Sequence, residues 1–124
     1  GTHASTFGGS PIVCAAALAV FEAIRKEKLL SNARRMGAYL TKGLMALRKK
    51  HSCITDVRGM ALIVGVELDI NGDDVYRGCM KSGLLINCTQ GNILRIMPPM
   101  TVTAKEIDKA LAILDAVLGK MKWV

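Results

Sequence analysis

The chain has 124 residues, 51% of them hydrophobic, enough to bury one modest core. A formal charge of +7 and a pI near 9.5 raise the reading of a basic α+β RNA-binding module. Only 4% of residues are aromatic, so few rings are present to stack on bases, and the cations fall within or at the ends of helical patterns.

The first eleven residues, Gly1-Thr-His-Ala-Ser-Thr-Phe-Gly-Gly-Ser-Pro11, read as a glycine-bearing loop emptying into a helix. Ser5 and Thr6 offer hydroxyl donors, and Gly8 and Gly9 allow positive φ or a close approach to a ligand. Ser10 suits an N-cap and Pro11 the first helical position. Such a loop fits an anion site at a helix start, but on composition alone it reads first as ordinary turn chemistry.

From Pro11 to about Lys26 the pattern is helical and apolar on nearly every side, so the helix must be buried all round, which a small domain cannot easily do alone. The apolar run Ile12 to Phe21 is broken by Glu22 and is too short to span a bilayer. A second helix is expected from about Leu30 to Lys50, with Ala33, Met36, Leu40, Leu44 and Leu47 forming one stripe. Arg48, Lys49, Lys50 and His51 read as a solvated, cation-rich helix end.

Two strands are expected next, Cys53 to Arg58 and Ala61 to Leu68, with Gly59 turning between them. A short helix of about Asp74 to Ser82 stops at Gly83. Strands at Leu84 to Asn87 and Asn92 to Met97 follow, ended by Pro98-Pro99. Thr103 and Glu106 make a capping box for a last helix. The order ααββαββα predicts an α+β fold, a mainly antiparallel sheet with helices on one side.

Cys14, Cys53, Cys79 and Cys88 show no C-x-x-C spacing, and His3 and His51 are far apart, so no zinc site is expected. Cys14 and Cys79 lie in apolar helical patterns and read as small buried hydrophobes. Unpaired thiols suit a reducing, cytoplasmic setting.

Arg95 interrupts the apolar run Ile93-Leu-Arg-Ile-Met97. It fits either a structural ion pair, with Glu67 as the candidate, or a fork for a carboxylate ligand. Arg58 is a candidate ligand residue too, but as a charged residue closing a strand it reads as structural.

Three blocks carry a resemblance. Gly1 to Pro11 closely resembles a motif of the class III (ornithine-type) aminotransferases, which depend on pyridoxal 5′-phosphate. Val57-Arg-Gly-Met-Ala-Leu-Ile-Val-Gly-Val-Glu-Leu68 resembles that family's next block. Gly83-Leu-Leu-Ile-Asn-Cys-Thr-Gln-Gly-Asn-Ile-Leu-Arg-Ile-Met-Pro-Pro99 resembles the third, and is especially similar to the members acting on acetylornithine. Ser10 departs from the family's usual Asn.

The resemblance implies the C-terminal part of a fold-type I transferase: residues 1–26 a cofactor-phosphate loop and interdomain helix, 27–124 a small C-terminal domain. It implies that Thr6, and with it Ser5, reaches the cofactor phosphate across a homodimer interface, and that Arg95 binds the α-carboxylate of the amino-acid substrate. It further implies transfer of the amino group of N2-acetylornithine to 2-oxoglutarate in arginine biosynthesis, with ornithine, succinylornithine or 4-aminobutyrate as alternative donors. Since the chain starts at Gly1, inside a motif, it is expected to be a fragment. The Schiff-base lysine is expected upstream, and the fragment alone is expected to be inactive. No nucleic-acid or membrane partner is expected.

Overall fold

The structure, a computed structural model, describes residues 5–121. Gly1 to Ala4 of the first loop, including His3, and the last three residues lie outside the described residues. Eight elements follow the expected order: α1 (Pro11–Lys26), α2 (Leu29–Lys50), β1 (Ile54–Met60), β2 (Ile63–Leu68), α3 (Gly72–Lys81), β3 (Asn87–Thr89), β4 (Ile93–Ile96) and α4 (Ala104–Lys120).

The apolar stripe of α2 decides the layering. Ala33, Met36, Leu40, Leu44 and Leu47 are all buried, and they face the alternate residues Val64, Val66 and Leu68 of β2 and Leu94 and Ile96 of β4. Side chains alternate across a strand, so one face of the sheet carries this core and the other carries Ile63, Gly65, Ile93 and Arg95. The four strands pair antiparallel throughout, in the order β1-β2-β4-β3. Helix α4 closes the core with Ile107, Leu114, Val117 and Leu118. Its start is fixed by the expected capping box: the Thr103 backbone N–H donates to Glu106 Oε2 at 2.8 Å.

Three local expectations are corrected. The β1–β2 turn falls at Ala61, with φ 49°, and Gly59 stays within β1. Gly59 faces Val64 so closely that a Cβ would sit 2.8 Å from its Cα. Strand β3 starts at Asn87 rather than Leu84. Gly83, at φ 82°, ends α3 with the Leu84 N–H donating to the Cys79 carbonyl at 2.9 Å, which holds Leu84 in the helix stop. Finally, α1 has the expected span but no buried residue, and Cys14 on it is exposed while Cys79 is buried. Ile12 is 80% and Phe21 69% exposed. An all-apolar helix needs cover on every side, and within the described residues α1 touches chiefly α2.

Beyond β4 the two prolines carry the chain back toward α2, where Asn32 Nδ2 donates to the carbonyls of Met100 at 2.8 Å and Val102 at 3.0 Å. These bonds fix the exit of the strand that bears Arg95.

Candidate functional site

Arg95 lies in the middle of β4. Its cross-strand neighbours are Gly65 on β2 and Asn87 on β3, and Gly65 is in turn opposite Arg58 on β1. Directly opposed residues point to the same face. Arg58, Gly65, Arg95 and Asn87 therefore form one row across the uncovered face of the sheet. A shallow cavity of about 340 Å³ on that face is lined by Arg58, Ile63, Gly65, Thr89, Ile93 and Arg95, among others.

The two arginines are in different electrostatic states. Arg58 donates to Asp56 Oδ2 at 2.9 Å and is also paired with Glu67. These two carboxylates, Asp56 first, hold the Arg58 charge more firmly than in a free side chain, and the Arg58 hydrogen bond in turn holds the Asp56 carboxyl below the usual range. Arg48 adds a longer contact to Asp56 at 3.9 Å. Arg95 is exposed and has no acidic partner within ion-pair distance among the described residues. The pairing of Arg95 with Glu67 that the sequence left open does not occur. Glu67 goes to Arg58 instead.

The loop before α1 forms the second candidate. Ser5 and Thr6 are exposed, Gly9 has φ 77°, and the Gly8 N–H donates to the Ser5 carbonyl at 3.2 Å. Ser10 occupies the N-cap position, but its hydroxyl does not cap the helix, and its Oγ is enclosed without a hydrogen-bond partner among the described residues. The first-turn N–H groups of Ile12 and Val13 accordingly have no side-chain acceptor among the described residues. Hydroxyls and unclaimed N–H groups at the start of a 16-residue helix are a donor set chemically suited to a phosphate. None of the described loop residues lines the cavity beside Arg95.

His51 and Cys79 are structural. His51 is buried rather than solvated, with Nε2 2.6 Å from Asp115 Oδ1. Burial pushes the Cys79 thiol up to about 11, far from a reactive thiolate. No three His, Cys, Asp or Glu side chains among the described residues could hold a metal ion, and no described helix is long and apolar enough to cross a membrane.

Comparison with known proteins gives a consistent result. A family model described as "Aminotransferase class-III" matches residues 1–118. The acetylornithine aminotransferase of Caldanaerobacter subterraneus subsp. tengcongensis is 43% identical over 124 residues, covering 99% of this chain and 32% of that protein. The crystal structure of acetylornithine aminotransferase from Elizabethkingia anophelis superposes with a TM-score of 0.88 at 30% identity, over 98% of this chain and 31% of that one. The ornithine aminotransferase of Toxoplasma gondii, whose active site holds pyridoxal phosphate at partial occupancy, superposes with a TM-score of 0.85 at 34% identity, over 95% of this chain and 29% of that one. The chain thus spans about a third of the length of the relatives it matches.

Proposed function

Since the chain belongs to the class III aminotransferases, a family that uses pyridoxal 5′-phosphate, we propose that it forms the C-terminal part of an enzyme moving the amino group of N2-acetylornithine to 2-oxoglutarate. Residues 1–26 end the cofactor domain and cross to the small domain, which is residues 27–124. The observation that carries this reading is the uncompensated Arg95 guanidinium on an open sheet face, beside an Arg58 whose charge is already matched.

Arg95 takes the α-carboxylate of the amino acid in a two-pronged hydrogen bond, fixing both position and orientation. Gly65 opposite has no side chain to fill the space beside the guanidinium, and a Cβ there would meet Ile93 at only ordinary contact distance, 3.4 Å. That opening suits a small ligand. Thr6, assisted by Ser5, donates to the cofactor phosphate in the site of a second copy of the chain, so the working enzyme is a homodimer. Pyridoxal phosphate supplies the electron sink for the reaction. The reacting lysine is outside these 124 residues, and this polypeptide alone is inactive. A cytoplasmic enzyme of arginine biosynthesis fits this activity and the four free cysteines.

The test is a donor profile for the full-length enzyme with 2-oxoglutarate as acceptor. N2-acetylornithine is expected to give the highest kcat/KM. A higher value with ornithine, succinylornithine or 4-aminobutyrate would transfer the reading to that donor within the same family.

A further inference from the structure

Strand β4 loses its pairing one residue after Arg95. Ile96, opposite Val64, is its last paired position. Met97, Pro98 and Pro99 come next, and proline has no N–H to donate. From Met97 to Val102 the backbone makes one bond to backbone among the described residues, and it is internal to the segment: the Val102 N–H donates to the Pro99 carbonyl at 3.0 Å. A strand end released in this way frays, and fraying reaches the positions next to it. Asn32 closes the gap. Its Nδ2 group donates to the carbonyls of Met100 at 2.8 Å and Val102 at 3.0 Å, while Arg35, one turn further along α2, donates to its Oδ1 at 3.0 Å. The amide oxygen is therefore turned to Arg35 and both amide hydrogens to the segment. Asn32 stands on a firm base, since its neighbours Ala33 and Met36 on α2 are in the core.

We propose that Asn32 is a positioning residue for the substrate carboxylate: by tying the exit of β4 to α2, it fixes the place from which the Arg95 guanidinium reaches its ligand. The proposal rests on the assignment of Arg95 to that carboxylate, and it holds whichever group faces Arg95 before substrate arrives. Asn32 touches neither substrate nor cofactor and acts through Arg95. A two-pronged bond needs both N–H groups in line, so a misplacement of about 1 Å weakens both prongs together. The carboxylate contact is made alike in the bound substrate and in the transition state. Its loosening therefore raises KM for the amino acid and leaves kcat unchanged.

The experiment uses full-length holoenzyme carrying Asn32→Ala, Arg95→Ala, or both. Asn32→Ala is expected to raise KM for the amino donor about threefold to tenfold, the scale of one lost neutral hydrogen bond, with kcat and pyridoxal phosphate affinity unchanged. In the Arg95→Ala background, adding Asn32→Ala is expected to lower kcat/KM no further, because the side chain it positions is gone. A wild-type KM in Asn32→Ala overturns the proposal. So does a loss of kcat or cofactor affinity, or an equal further loss in both backgrounds, since each would make Asn32 a general brace of the domain. Asn32→Asp keeps the shape but sets acceptors against the two carbonyls, and it carries the same expectations should Asn32→Ala fail to fold. Failure of both to fold also overturns the proposal. Wild-type kinetics in Arg95→Ala would remove the carboxylate assignment beneath it. A strong Arg95→Ala defect with an additive Asn32→Ala effect would remove only the role given to Asn32.

Discussion

His51 follows three cations in the sequence, yet its ring is 7% exposed and held by Asp115 of α4. Lys50 reaches the other oxygen of the same carboxylate at 2.6 Å. Lys50 first, then His51, holds the Asp115 carboxyl below the usual range. With the folded pKa below the ordinary value of 3.8, the stability this group contributes is complete above that value and fades as pH falls through the lower folded value. Asp56 and Glu106 are shifted in the same direction. Thermal scans should show Tm falling below about pH 4, and Asp115→Asn should flatten part of that acid limb. An Asp115→Asn chain with the wild-type acid slope would contradict this. Nothing local in the sequence distinguishes His51 from its basic neighbours, because its partner is 64 positions away. Arg95 was legible as an arginine in an alternating strand. That Glu67 would turn to Arg58 was not, because the choice depends on which strands flank β2.

Among the elements, periodicity was enough to place all four helices and both hairpins in order, since each apolar stripe has a period that only one element type can bury on one side. Strand edges were less legible. Leu84-Leu-Ile86 is apolar enough for a strand, but the helix stop at Gly83 consumes Leu84, and Leu85 is left 83% exposed. The β1–β2 turn was displaced for a related reason: glycine marks close approach as readily as a turn, and at Gly59 it marks close approach. Gly37 shows the same constraint on a helix. Alanine would ordinarily strengthen a helix interior by about 1 kcal/mol relative to glycine. At Gly37, however, a Cβ would collide with the backbone of Ala61 at the tip of the β1–β2 hairpin. Gly37→Ala should therefore destabilise the chain by about 1–3 kcal/mol in urea unfolding, the usual cost of overpacking. A neutral or stabilised variant would show that the hairpin does not dock on α2 as described.

Over the whole chain, two surfaces lack cover among the described residues: α1 and the sheet face bearing Arg95. The sequence already signalled the first, because no small domain can enclose a helix apolar on all sides. Phe7, Ile12, Leu18 and Phe21 are each more than two-thirds exposed, a patch that favours association. The 124-residue polypeptide is expected to self-associate in sedimentation experiments. Leu18→Glu with Phe21→Glu should reduce that association without moving the urea midpoint, since neither side chain is in the core. A lowered midpoint would mean that α1 contributes to the domain's own stability.

The second uncovered surface carries the functional account, and Arg95→Ala in the full-length enzyme tests it most directly. Two charge-assisted hydrogen bonds of about 1.5–3 kcal/mol each set the scale. The account predicts that kcat/KM for the amino donor falls by about two to four orders of magnitude, with affinity for pyridoxal phosphate retained. An Arg95→Ala enzyme with wild-type kcat/KM would contradict it.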